Sequence, residues 1–113
     1  MAKVEIAESL YEQIDKKFKH QSVEIFQHLK SLEDNPNKGK FLAQVAGIHI
    51  KELKLKGFRF YFIVDGYKLK IFSEEELIDL LLRFVRMSDK KRQEQTIDEI
   101  KNILIKIGPK GLN

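Results

Sequence analysis

The sequence predicts an α+β fold: a helical hairpin, then a small antiparallel sheet of about four strands, then a C-terminal helix. Three observations predict it. Apolar residues recur at helical spacing up to Leu32, alternate as in strands between Ile48 and Met87, and return to helical spacing from Ile97. The 113 residues suffice for one core. We therefore expect a single domain over residues 1–113, with helices covering one face of the sheet.

The first third of the chain predicts two amphipathic helices joined by a short turn. The helical period breaks around His20 and Gln21, and Pro36 ends the second helix because it disfavours helical geometry in the residue before it. The apolar positions that define the two helices are Ile6, Leu10, Ile14, Phe18, Ile25 or Phe26, Leu29 and Leu32.

A first main strand is predicted from Ile48 to Lys56, after a loop over residues 43–47. Ile48 and Ile50 have one parity in this strand, whereas Leu53 and Leu55 have the other. A β-bulge near Glu52 would reconcile the two sets, because one extra residue reverses the alternation.

The segment from Lys51 to Lys70 predicts a β-hairpin closed at Asp65 and Gly66, since an Asp-Gly pair suits a two-residue type I′ turn. That turn would pair Val64 with Tyr67, Phe62 with Leu69 and Phe60 with Ile71. Seven residues from Phe58 to Ile71 would then form an apolar face. The opposite face would carry cations and aromatic rings, which suits either nucleic-acid binding or simple solubility. Its residues are Arg59, Tyr61, Ile63, Lys68, Lys70 and Phe72.

The remaining elements follow from caps and periodicity. Ser73 and Glu76 have capping-box spacing, which favours a helical turn or loop at 74–79 before a strand from Leu80 to Met87. Ser88 is a candidate N-cap for the final helix, and Gly108-Pro109 ends that helix.

Composition excludes several classes of function. The chain has no cysteine, which removes disulfides, thiolate nucleophiles and cysteine-ligated zinc. Its three histidines have no metal-site spacing, so we expect no metal and no cofactor. No apolar run approaches the roughly 20 residues that span a membrane, and the N-terminus lacks the apolar core of a signal peptide. We therefore expect a cytoplasmic protein with no membrane partner.

Positive charge is concentrated in the middle of the chain. Residues 38–92 hold 13 Lys and Arg against 7 Asp and Glu, whereas residues 1–37 hold 5 against 7 and residues 93–113 hold 3 against 3. A local excess of cations attracts polyanions even when the net charge is only +4. Nucleic acid is the leading partner class, and an acidic protein segment is the alternative.

Taken together, these segments resemble the RelE/ParE toxin superfamily of type II toxin-antitoxin modules, closer to its RelE and HigB side. The likeness covers nearly the whole chain and depends on the order and spacing of motifs that are weak singly. The matching segments are the helical hairpin, DNPNKGKFL, KELKLKGFRFYFIVDG, LLLRFVRMS and DKKRQEQTIDEIKNIL. The acidic SEEELID segment has no counterpart in most relatives.

The resemblance implies an mRNA endoribonuclease toxin with a RelE-like fold, acting by attack of the ribose 2′-hydroxyl on phosphorus, without a metal and in association with the ribosome. It also implies a cognate antitoxin protein that covers the basic face. Two alternatives remain open: a ParE-like inhibitor of a DNA topoisomerase, and an inactive member that binds nucleic acid or protein.

The same resemblance implies roles for individual residues. Arg59 occupies the aromatic-Arg position and Arg86 the basic position late in the last strand, so both are expected to contact phosphate. Glu52 or Lys54 lies on the strand that supplies the base in relatives. Relatives place Tyr or His after the late arginine, but residues 87–95 contain neither, which leaves Tyr61 or a lysine as the candidate acid. Further RNA contacts are expected from Lys56, Lys68, Lys70, Arg83, Lys90 and Lys91.

Overall fold

The computed structural model describes residues 2–65 and 80–113, and it has an α+β fold built on a five-stranded mixed sheet. Short 3-10 turns follow α1 and α2 and close the chain at Pro109–Leu112. Within the described ranges, no helix is long and apolar enough to cross a membrane. The elements are β1 (Ala2–Ile6), α1 (Glu8–Phe18), α2 (Ser22–Lys30), β2 (Lys40–Val45), β3 (Ile48–Leu55), β4 (Phe58–Asp65), β5 (Leu80–Ser88) and α3 (Gln93–Lys106).

The strand order in the sheet is β1-β5-β4-β3-β2. β1 runs parallel to β5, and every other neighbouring pair is antiparallel. The predicted helical hairpin, the strand from Leu80 and the C-terminal helix are confirmed. The prediction missed β1, because Ile6 continues the four-residue spacing of α1, and it missed β2, which was assigned in part to a loop.

Two-residue turns at Ala46–Gly47 and Lys56–Gly57 join β2 to β3 and β3 to β4. Both residues of each turn have positive φ, as a type I′ turn requires: +50° and +81° in the first, +52° and +80° in the second. Neither Ala nor Lys favours that conformation, which is why the sequence did not signal these two turns.

The strand pairing predicted for β4 is wrong. β3 occupies one edge of β4 and β5 occupies the other, so Phe60 pairs with Leu53 and Met87, and Phe62 with Lys51 and Phe84. Val64 likewise pairs with His49 and Leu82. The predicted turn at Gly66, the strand through Phe72 and the helical turn at 74–79 lie outside the described residues.

Both faces of the sheet are covered, so the prediction of helices on one face only is wrong. Against α1 and α2 lie Leu53, Phe60, Phe62, Leu82, Phe84 and Met87. Against α3 and the C-terminal turn lie Ile50, Tyr61, Ile63 and Val85, beneath Ile100, Leu104 and Leu112.

Coverage of both faces explains the mixed parity of β3 without the bulge predicted near Glu52. β3 pairs with β4 from His49 to Leu55 with no register shift. Ile50 belongs to the core under α3, and Leu53 belongs to the core under α1 and α2. The prediction that Tyr61 and Ile63 lie on an open cationic surface is also wrong, because both are buried under α3.

The last helix begins later than the predicted cap at Ser88. Ser88 is the final residue of β5, and α3 starts at Gln93. The turn before α3 is held by Asp89, whose Oδ1 accepts a hydrogen bond from the backbone N–H of Arg92 at 3.0 Å. A carboxylate near a helix N-terminus is favourable because it satisfies a free backbone donor.

Candidate functional site

Three neighbouring strands bring the five predicted catalytic residues together in two cross-strand rows. The open row consists of Lys54 on β3, Arg59 on β4 and Ser88 on β5. The covered row consists of Glu52, Tyr61 and Arg86 on the same three strands. Arg59 and Tyr61 are two residues apart on one strand, so their side chains lie on the same face of the sheet.

A β-bulge in β5 aligns Arg86 with the covered row. Tyr61 pairs with Arg86, but the next residue, Phe62, pairs with Phe84, which leaves Val85 as the extra residue. Phe84 therefore packs under α1 and α2, whereas Val85 packs under α3. With Phe62 paired to Phe84, regular antiparallel pairing would put Val85 opposite Tyr61. The bulge puts Arg86 there instead.

Tyr61 is fully buried beneath α3 and has a hydrogen-bond partner. Its hydroxyl lies 2.7 Å from Ser88 Oγ, which itself donates to the carbonyl of Asp89 at 3.0 Å. Either hydroxyl can be the donor in the shared bond. Burial, partly offset by this hydrogen bond, raises the pKa of Tyr61 above 10.0. Tyr61 therefore holds Ser88 in place and has no access to solvent.

Glu52 is a buried carboxyl group with one long hydrogen bond among the described residues. Its side chain is 2% exposed, and Oε2 accepts a long 3.4 Å hydrogen bond from Nε2 of Gln93 on α3. Oε1 is buried and has no hydrogen-bond partner among the described residues. In this conformation, a substrate bound outside α3 does not reach Glu52.

The Arg86 side chain forms hydrogen bonds and an ion pair within the protein. Its Nη1 donates to the carbonyls of Val85 at 2.7 Å and Leu112 at 3.1 Å. Its Nε lies 3.6 Å from Glu99 Oε1 on α3. The guanidinium therefore ties the C-terminal turn to β5.

The open row has unsatisfied positive charge. Arg59 is half-buried, and its Nε is buried with no hydrogen-bond partner among the described residues. Directly opposite on β3 is Lys54, which is exposed. Like charges on directly opposite strand positions are destabilising, and a buried donor without a partner has a further cost. A bound anion would relieve both.

Four of the other predicted RNA contacts lie in the described part of the chain. Lys56 lies in the β3–β4 turn and forms a 3.2 Å ion pair with Glu24 on α2. Lys90 and Lys91 are exposed between β5 and α3. Arg83 lies nearer the start of β5, opposite Ile63. Its Nε is buried and has no hydrogen-bond partner within the described part of the chain. Lys68 and Lys70 lie outside the described residues.

Sequence reasoning missed Ser88, which belongs to the open row, and three residues that adjoin the two rows: Asp89, Arg92 and Gln93. Ser88 was assigned as a helix cap, although it belongs to the strand row. Asp89, exposed, follows it directly, and Gln93 reaches Glu52 from α3. The only signal in the sequence was the polar run after the last strand, which predicted cations but not a carboxylate beside the arginine.

Among residues 2–65 and 80–113, no group of three His, Asp or Glu side chains is placed to hold a metal ion. No protein-family model, no curated protein and no solved structure matches the chain.

Proposed function

We propose that this protein binds RNA through the open row and cleaves it as a toxin of the RelE kind, without a metal. The observation that carries the proposal is the half-buried Arg59, which lies between Lys54 and Ser88 and whose buried Nε has no hydrogen-bond partner among the described residues. A guanidinium with free donors next to a second cation suits a phosphodiester, because charge-assisted hydrogen bonds to phosphate are strong and directional.

The row also suits in-line attack on phosphorus. Lys54 and the Ser88–Asp89 end of β5 flank Arg59 on opposite sides, with their backbones about 10 Å apart across two strand spacings. Cleavage needs a base and an acid on opposite sides of the phosphorus. This spacing leaves room for one phosphate between them.

We assign the roles accordingly. The Asp89 carboxylate takes the proton of the 2′-hydroxyl as its oxygen bonds to phosphorus. The P–O5′ bond then breaks, and Lys54 donates a proton to the leaving 5′-oxygen. Arg59 stabilises the extra negative charge in the transition state. The products are a 2′,3′-cyclic phosphate and a 5′-hydroxyl.

The covered row supports this chemistry from beneath. Tyr61 positions Ser88 by its 2.7 Å hydrogen bond, and Arg86 anchors the C-terminal turn. We therefore treat Tyr61 and Arg86 as positioning residues.

Arg59→Ala tests the assignment. We expect the variant to fold, to lose RNA cleavage and growth arrest on induction, and to bind RNA about tenfold to hundredfold more weakly, because a hydrogen bond to a charged group is worth about 1.5–3 kcal/mol. Lys106→Gln is the matched control, since it also removes a positive charge but lies at the far end of α3, about 20 Å from the first residue of that helix. Retained cleavage in Arg59→Ala would refute the role of Arg59.

Binding without cleavage is the second candidate function. The burial of Tyr61 and Glu52 favours it, because the acid and one of the two bases expected from the resemblance are not open to substrate. Primer extension on RNA from induced cells separates the two: new 5′ ends support cleavage, whereas bound but intact RNA supports the second candidate.

A cognate antitoxin with an acidic segment is the partner that the open row would fit. We expect such a segment to compete with RNA for Arg59 and Lys54. Co-expression with the neighbouring reading frame tests this: the partner should restore growth and co-purify with the wild-type protein.

A further inference from the structure

The end of the sheet carries a cleft that none of the roles above accounts for. This end cleft, about 360 Å³ in volume, lies between α1 and α3 where β4 begins and β5 ends. Its volume is at the low end of the roughly 300–1,000 Å³ that ligand sites occupy, which suits a ligand of about one nucleotide. The residues used below are Gln13, Lys17, Phe58, Ser88, Asp89 and Arg92.

The lining of the end cleft is cationic. Lys17 and Arg92 approach from α1 and from the turn before α3, and Asp89 is the one carboxylate among the described lining residues. One Asp89 oxygen already accepts the Arg92 backbone N–H. Neither the Lys17 ammonium nor the Arg92 guanidinium forms an ion pair with another described residue. The cleft therefore has a net positive charge and two cations available to an anion.

Lys17 is held in position by aromatic contact. Its Nζ lies 4.8 Å from the centre of the Phe58 ring, and the edge of Phe18 packs against the same ring, with the ring centres 5.5 Å apart. A cation over an aromatic face is stabilised by the ring quadrupole. Phe58 is half-buried and adjoins Arg59 in the chain, so the cleft begins where the open row ends.

We infer that the end cleft holds the nucleotide whose 2′-hydroxyl attacks, with Lys17 and Arg92 binding the phosphate on its 5′ side. The inference rests on the proposed function, because Asp89 is the base and lies on the cleft side of Arg59. The attacking ribose must lie beside its base, whereas the leaving nucleotide lies toward Lys54. Gln13 supplies a neutral hydrogen-bonding group for the ribose or base.

The test compares two dinucleotides, one with a 5′-phosphate and one without, each carrying 2′-deoxyribose at the attacking position so that neither is cleaved. For the wild type, we expect the 5′-phosphate to improve affinity about tenfold, as a charge-assisted contact does. Lys17→Gln and Arg92→Gln should each lose most of this gain. Lys16→Gln, a neighbouring exposed lysine outside the end cleft, should keep it.

The outcomes distinguish this inference from the proposed function. If Arg59→Ala weakens both dinucleotides but Lys17→Gln and Arg92→Gln keep the full gain, the end-cleft assignment is overturned and RNA binding at the open row stands. If neither dinucleotide binds the wild type, the proposed function fails. A nucleoside 5′-monophosphate then tests the end cleft alone: amide shifts at Phe58, Ser88 and Asp89 support a nucleotide site, and their absence overturns it.

Discussion

The two faces of the sheet differ in what their side chains do. The face under α1 and α2 is apolar along its centre, with Phe60, Phe62 and Phe84 fully buried. The face under α3 is apolar only toward Ile50 and Ile63, and at its other end it carries the open and covered rows. Polar groups are costly in a core, so a face that keeps several of them has a use for them beyond stability. The first face therefore sets stability, and the second combines stability with the candidate site.

Phe62→Ala should have the largest effect on stability. Phe62 is fully buried with its ring centre 4.8 Å from that of Phe84, so its removal should cost about 3–5 kcal/mol in the free energy of unfolding, measured by urea denaturation. Phe41→Ala is the control, because Phe41 is 54% exposed. If Phe62→Ala does not fold, Phe62→Leu should still fold, with a loss of about 1 kcal/mol. Equal losses in the Phe62 and Phe41 variants would mean that the two faces are not distinguished by packing.

Arg86→Met should lower the free energy of unfolding by less, and its effect should be confined to the C-terminal turn. It removes the bonds from the guanidinium to Leu112 and Glu99, with an expected loss of about 1–2 kcal/mol. Hydrogen exchange should show faster exchange of the amides at 109–113, because the C-terminal turn loses its anchor. Glu99→Gln keeps the bond to Leu112 and should change little, since Glu99 is 52% exposed. Equal effects would place the anchor at Glu99 instead.

Tyr61→Phe should cost about 1 kcal/mol at neutral pH, because it removes one buried hydrogen bond while Ser88 still donates to Asp89. The stability difference between the wild type and Tyr61→Phe should also depend on pH. Burial raises the pKa of folded Tyr61 above 10.0, so above pH 10.0 the unfolded state loses this proton first and wild-type stability falls. Tyr61→Phe lacks that loss, so the stability difference should shrink as pH rises, measured by urea denaturation at pH 8 to about pH 11. A constant difference would contradict burial as the cause.

Ala46→Asn should have the smallest effect, and it leaves both faces unchanged. Ala46 has φ +50° in the β2–β3 turn, a conformation that Asn tolerates better, so we expect a gain of about 0.5 kcal/mol in thermal unfolding. RNA binding should stay at the wild-type level. A change in RNA affinity would show that the open row depends on global stability, which would weaken the distinction between the two faces.

Much of the fold could be predicted from local patterns. The helices up to Lys30, the strand from Leu80 and the helix that ends before Gly108 have strong periodicity or clear stop signals. β1 could not be separated from α1, because Ile6 fits both periods. The β3–β4 turn was not recognised because Lys56 adopts positive φ against its preference, which the pairing of both flanking strands enforces.

The candidate site was predicted in its residue types but not in its accessibility. Arg59, Lys54, Glu52, Tyr61 and Arg86 were selected by resemblance, and the strand register places them side by side. Which of them can touch a ligand depends on where α3 lies. Asp89 and Arg92 were overlooked because nothing in a single sequence indicates that a turn after one strand borders a helix from the start of the chain.

By itself, the sequence determined the elements with clear periodicity, the concentration of cations between residues 38 and 92, and a two-sided apolar pattern in β3. Only the tertiary structure decided that both faces of the sheet are buried, that a bulge at Val85 aligns Arg86 with Tyr61, and that Tyr61 is sealed while Arg59 stays half-buried. Periodicity and charge are local properties of the chain. Register, burial and the meeting of α1 with the turn before α3 depend on contacts between distant residues.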